Sequence, residues 1–157
     1  MAHFYNQLNQ YGEIVARKVR LLPTTSPLPQ GHTWVKWEPE LDEVKQSKKG
    51  KINSDRTRQC TESVSVTVNG TNYNWQADER SQQLILASIT LAVVGVVAPP
   101  PVWRTADNVD VPITLTDLQN IAKAMFTQTN LAFAKSWTLK AMLDQATSVS
   151  EVEGIQW

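Results

Sequence analysis

The side chains that invite a nucleophilic or metal reading are few: His3, His32 and Cys60, with Asp107 and Asp110 as a closely spaced carboxylate pair. A Ser, Cys or His nucleophile needs a base and an orienting partner held by the fold. These residues lie outside the segments with the clearest helix or strand pattern, which makes a poor triad. A hard cation takes six or more oxygens, and no third carboxylate stands near Asp107 and Asp110, so turn and cap chemistry accounts for that pair. There is no glycine-rich loop leading into a lysine-bearing helix, no His-Glu-x-x-His, and no Cys-x-x-Cys. Cys60 reads as a small half-buried apolar residue. The expectation is a protein without catalytic activity, metal or cofactor.

Bulk properties exclude further classes. The chain has 157 residues with 15 basic and 15 acidic side chains, so it has no net positive field with which to gather phosphates, and nucleic acid is not an expected partner. One cysteine cannot form an internal disulfide, and the first residues lack a basic start and an apolar run, so synthesis in a reducing cytoplasm is expected. Leu84 to Ala98 is nearly all apolar but stops at Pro99-Pro100-Pro101, short of the ~20 residues that a spanning helix needs. A core helix is expected there, without membrane insertion.

The elements that would position any site follow from local pattern. The predicted class is α+β: a small N-terminal β-hairpin module, a linker helix, then a mainly helical C-terminal domain with two short β-hairpins. Residues 1–40 form the first module, with runs His3–Gln7 and Glu13–Leu21 about the turn-prone Asn9-Gln10-Tyr11-Gly12. Pro23, Pro27 and Pro29 then predict an extended crossing before Gly31. Trp34 and Trp37 either pack this module or line a sugar- or peptide-binding groove. Phe4, Tyr5, Tyr11, Trp34, Trp37, Leu41 and Val44 are the candidate partner-interface residues. Residues 41–62 alternate in charge around Gly50 and predict a linker helix with a solvated face, its few apolar positions available to a partner chain.

Residues 63–157 carry the strongest local signals. Asn69-Gly70 between Val64–Val68 and Thr71–Trp75 predicts a two-residue hairpin in which Val68 faces Thr71, Val66 faces Tyr73 and Val64 faces Trp75. Asp78 should cap a helix ending at Gly95. Its apolar residues run almost all the way round, the pattern of a helix buried on more than one side, and its β-branched end could alternatively run as a strand. Ala106-Asp107-Asn108 predicts a second tight hairpin between Val102–Thr105 and Val109–Ile113. Thr114 with Asp117, or else Thr116 with Gln119, starts a long helix. Its core stripe is Leu118, Ile121, Ala122, Met125, Ala132, Phe133, Leu139 and Leu143; Gln128, Thr129 and Ser136 interrupt that stripe, as on a face partly at the surface. Ser148 with Glu151 opens a last short helix, with Val149, Val152 and Ile155 inward and Trp157 tucked against the core.

Over roughly residues 41 to 157 the chain resembles a domain of unknown function that recurs in tail and tail-fibre genes of tailed bacteriophages. The resemblance is carried by Lys51-Ile52-Asn53 with Arg56, Val68-Asn69-Gly70 with Tyr73, and Asp78-Glu79-Arg80-Ser81 with Gln82. It continues through Trp103-Arg104-Thr105-Ala106-Asp107-Asn108, Leu115-Thr116-Asp117-Leu118, and Ala146-Thr147 to Ile155 and Trp157. The N-terminal part is more loosely similar to leaders on small fibre-associated and fibre-assembly proteins. The resemblance brings no catalytic residues. It implies a virion structural component at the tail tip, baseplate or fibre, made in the host cytoplasm, with other phage tail or fibre proteins as partners and a homo-oligomer as one arrangement. The alternatives are a fibre-assembly chaperone absent from the finished particle and a carbohydrate-binding host-recognition module using Trp34 and Trp37.

Overall fold

The computed structural model describes residues 4–20, 30–36 and 39–157, with the backbone alone for residues 18–20, 34 and 36. The architecture is α+β, and the chain divides into two compact units, Met1–Val44 and Lys45–Trp157. The first holds an antiparallel sheet of β1 (Phe4–Leu8), β2 (Ile14–Arg20) and β3 (Thr33–Lys36), in the order β2-β1-β3. Its turn is closed by Asn9, whose Oδ1 accepts from the backbone N–H of Tyr11 (2.9 Å) and Glu13 (3.0 Å), with Gly12 at φ 80°. The hairpin matches the sequence expectation; β3 does not appear in it. Thr33–Lys36 is short, but its backbone groups pair along β1 from Tyr5↔Lys36 to Leu8↔Thr33. The expected proline-rich crossing lies outside the described residues.

α1 (Leu41–Thr61) starts at the end of the first unit and runs on into the second, with Asp42 and Glu43 in its first turn, where negative charge suits the helix dipole. From Lys45 onward α1 belongs to the second unit and makes contacts within it. Ile52 is buried, the Lys45 and Lys48 ammonium groups donate to the Asp144 and Glu153 carbonyls (3.3 Å each), and Lys49 pairs with the Asp144 carboxylate at 2.7 Å. Docking rests on polar side chains reaching backbone carbonyls, which an apolar-stripe criterion does not register.

The last turn of α1 shows the same principle. A helix leaves its final carbonyls without intrahelical donors. Here Thr61 Oγ1 donates to the Arg58 carbonyl (3.1 Å), Gln82 Nε2 to that of Cys60 (3.0 Å), and Gln128 Nε2 to those of Gln59 and Glu62 (2.7 Å each). Glutamines from two other helices therefore close the end of α1.

β4 (Val64–Val68) and β5 (Thr71–Trp75) pair in the expected register, with Asn69 and Gly70 at φ 52° and 80°. Trp75 is fully buried, and its indole N–H reaches the Val66 carbonyl at 3.2 Å. Over this face lie α2 (Glu79–Val93), capped by Asp78, and α3 (Leu115–Gln145), opened by the reciprocal Thr114–Asp117 capping box. The core joins Val64, Val68, Trp75 and Ala77 to Ile85 of α2, then to Val111, Ile113, Leu118, Ile121 and Met125. β6 (Val102–Arg104) and β7 (Asp110–Pro112) form the second expected hairpin. α4 (Val149–Gly154) starts at Ser148 and buries Val152, with Ile155 buried just beyond. Trp157 is half-buried, with the Lys135 ammonium 4.8 Å from its ring centre.

Candidate functional site

Of the groups singled out for chemistry, His32 falls in the first unit and Cys60, Asp107 and Asp110 in the second. His32 Nδ1 lies 2.9 Å from Gln7 Nε2 within the first unit, and His3 lies outside the described residues. Cys60 is half-buried near the end of α1 with a free thiol. Among the described residues no group of three His, Cys, Asp or Glu side chains could hold a metal ion.

Asp110 faces Arg104 in cross-strand register and takes two bonds from its guanidinium, Nε to Oδ1 at 2.7 Å and Nη2 to Oδ2 at 3.0 Å. That pairing holds the Asp110 carboxyl below the ordinary carboxylate range and raises Arg104 further. The rest of the Trp103–Asn108 stretch is structural too. Trp103 packs half-buried on the core. Thr105 is buried, its N–H donating to the Val109 carbonyl (2.9 Å) and its Oγ1 accepting from the Val109 N–H (3.1 Å). The Ala106 N–H donates to the Asn74 carbonyl at 2.8 Å and Asn69 Nδ2 to the Pro112 carbonyl at 3.0 Å, joining the two hairpins. Asn108, at φ 61°, completes the turn.

The seven candidate interface residues divide as follows. Phe4 and Tyr5 are half-buried on β1, and Tyr11 projects from the β1–β2 turn, 79% exposed. Trp34 is in β3 opposite Gln7, described by its backbone alone, and Trp37 lies outside the described residues. Leu41 and Val44 are half-buried in the first turn of α1.

The more extensive surface was missed at the sequence level. α2 is not buried on more than one side: Ile85 is its one fully buried residue, Ile89 is half-buried, and Leu84, Leu86, Leu91 and Val93 are exposed. Apolarity on every side of this helix reflects one face on the core and another facing outward. The chain then closes the helix end at Gly95 (φ 75°), with the Val96 N–H returning to the Leu91 carbonyl at 3.0 Å, and leaves Val94, Val96 and Val97 exposed. Beside α2, a cleft of about 110 Å³ is lined by Gln82, Ile85, Leu86, Met125, Phe126 and Thr129, among others. From Ser81 to Trp103 there is no acidic or basic residue, and that absence of charge was the available signal. Along α3, Phe126 and Trp137 are exposed, Trp137 meeting Phe133 edge-on with Arg56 over the Phe133 ring at 4.7 Å. In the expected α3 stripe Ala122 and Phe133 are half-buried and the other members buried, and Ser136, expected on a face partly at the surface, is buried among them.

A family model described as a domain of unknown function, DUF4376, matches residues 43–155, more than half of the chain. The chain belongs to this family. Its matched region takes in α1 from its first turn, both C-terminal hairpins and the three following helices, so the DUF4376 domain and the second compact unit nearly coincide. No curated protein and no solved structure matches. Among the described residues no helix is long and apolar enough to cross a membrane.

Proposed function

We propose that this DUF4376 chain is a structural component of a tailed-bacteriophage tail, carried at the tail tip, baseplate or fibre and working through protein–protein contacts. The observation that supports it most is the division of the chain. The family match starts at residue 43, beside the boundary at Val44 where the first compact unit ends. A shared domain preceded by a separate small sheet suits a part that is held by one region and docks a neighbour with the other. In this reading the attachment surface is the first unit, with Tyr11 at its turn and Phe4, Tyr5, Leu41 and Val44 around it. The phage setting rests on the resemblance carried by Trp103–Asn108 and its companion motifs.

Quantitative mass spectrometry of purified, salt-washed particles of the virus encoding the chain tests the reading. A fixed small-integer ratio to a tail protein is expected. Abundance in infected-cell lysate with absence from particles overturns it and favours a fibre-assembly chaperone.

A further inference from the structure

We infer that Asn69 is a site of spontaneous covalent modification: the Gly70 backbone nitrogen displaces ammonia from the Asn69 side chain, and the product undoes a contact between the two hairpins of the second unit. This inference is independent of the phage reading.

The sequence singles out the position. Of the asparagines in the chain, Asn69 alone precedes glycine; the residues after the others are Gln, Ser, Tyr, Trp, Val, Ile or Leu. Ring closure brings the backbone nitrogen of the next residue onto the side-chain carbonyl carbon of the asparagine. A Cβ on that next residue crowds the approach, and glycine has none.

The structure leaves the approach open. Asn69 and Gly70 are both exposed at the tip of the β4–β5 turn, and nothing lies within 4 Å of where a Gly70 Cβ would stand. Among the described residues the Gly70 N–H meets no acceptor. Asn108 makes the contrast. It also sits in a hairpin turn, at φ 61°, yet the nitrogen after it belongs to Val109, whose N–H donates to Thr105 Oγ1 at 3.1 Å and whose branched side chain flanks the approach.

The step balances with water as the only co-reactant. Hydroxide from solvent takes the proton of the Gly70 N–H, and the nitrogen attacks Asn69 Cγ, forming a C–N bond. The Cγ–Nδ2 bond breaks, and the side-chain nitrogen leaves as ammonia with a proton from water. Water then opens the resulting succinimide at either carbonyl. One opening gives aspartate; the other gives isoaspartate, whose main chain runs through Cβ and Cγ. Nothing is oxidised or reduced.

The fold sets both the pace and the consequence. Asn69 Nδ2, the nitrogen that departs, donates to the Pro112 carbonyl at 3.0 Å and so ties the β4–β5 turn to the β6–β7 hairpin. The reaction therefore waits on the opening of that contact. Afterwards neither product has an amide to restore it, and a carboxylate stands where the donor was. Isoaspartate in addition lengthens the main chain of a turn whose Val68↔Thr71 closure is set by two residues of fixed length.

Ageing the full chain in mildly alkaline buffer, folded and in guanidinium chloride, tests the inference. Peptide fragmentation by mass spectrometry places each converted amide, and isoaspartyl methyltransferase labelling measures the isoaspartate. Aspartate and isoaspartate should build up at Asn69 ahead of Asn72, Asn74 and Asn108. The folded chain should convert roughly ten-fold more slowly than the unfolded one, the factor for opening one hydrogen bond together with its turn. In the denaturant, where the turn conformation plays no part, Gly70→Ala should slow the conversion at least several-fold. Asn69→Asp, standing for one product, should lower the urea midpoint by roughly 0.3–1 M. A folded chain in which Asn69 stays intact through an ageing many times longer than the unfolded chain needs overturns the inference. Equal rates in the folded and unfolded chain overturn the gating by Pro112, and an Asn69→Asp midpoint equal to wild type overturns the consequence.

Discussion

Replacing Gln128 by glutamate should destabilise the second unit more than replacing it by leucine, although glutamate is the closer match in shape. The Gln128 amide donates two bonds of 2.7 Å, to the Gln59 and Glu62 carbonyls at the end of α1. Leucine removes both donors. At about 0.5–1.5 kcal/mol per bond, and with water able to reach the exposed Glu62 carbonyl, the cost comes to about 1–2 kcal/mol. Glutamate removes the donors and in addition sets a negative charge against two carbonyls at the negative end of a helix dipole, adding roughly 0.5–1 kcal/mol.

Urea unfolding followed by helical circular dichroism measures this, because the described part of the first unit up to Lys36 is strand and turn. With a slope of about 1–3 kcal/mol per molar urea, Gln128→Leu should lower the midpoint by roughly 0.5–1.5 M. The glutamate in Gln128→Glu should titrate above the ordinary range in the folded state, since its neutral form is the better tolerated. A raised folded pKa means stability that is regained as pH falls through that value. The gap between the two variants should therefore be widest at neutral pH and close under acid conditions, where the protonated side chain regains a donor. Midpoints for both variants equal to wild type, or a gap that does not respond to pH, would falsify the capping role.

Three further outcomes are expected. Ser136 is fully buried and its Oγ has no hydrogen-bond partner among the described residues, so Ser136→Ala should be neutral or should stabilise by up to about 1 kcal/mol in the same urea assay; a clear loss would show that the hydroxyl is satisfied. Gly70 sits at φ 80° with nothing within 4 Å of where a Cβ would lie, so Gly70→Ala should cost about 1–2 kcal/mol through the backbone alone, read as a lower midpoint without loss of fold. Four carboxyls are held below their ordinary values of 3.8 (Asp) and 4.5 (Glu): Asp78 by the Ser81 hydroxyl, Asp110 by Arg104, Asp144 by Lys49, and Glu151 by the Thr147 N–H. Depressed carboxyls contribute stability that is present above the unfolded pKa and lost as pH falls through the folded one. The melting temperature should hold from neutral down to about pH 5 and then fall, and Asp144→Asn should shallow that fall; an unchanged acid limb in the variant would remove Asp144 from the account.

What could be read in advance was chemistry confined to neighbours in the chain. Asn69-Gly70 needs positive φ at both positions and so determines the register from Val64↔Trp75 to Val68↔Thr71. Thr114 and Asp117 are three residues apart and satisfy each other's backbone. Ala106-Asp107-Asn108 closes between flanking strands whatever lies beyond. β3 escaped because its pairing to β1 spans the segment between them and leaves no local trace beyond four extended residues. Gln128 escaped for a related reason. A polar residue in an apolar stripe looks the same in sequence whether it faces water or finds a carbonyl 69 positions away.

The same ambiguity governs the candidate site, and it gives the outer face of α2 its meaning. An all-round apolar helix satisfies the hydrophobic pattern equally well if its second face is buried by its own domain or by another molecule. The domain covers Ile85 and half-covers Ile89, and the remaining apolar positions are left exposed on a segment without a single charge. Leu84 and Leu91 then fall on one flank of α2 and Leu86 and Val93 on the other, with Gln83 and Thr90 exposed between them, which is what an all-round apolar pattern becomes when one side alone meets the core.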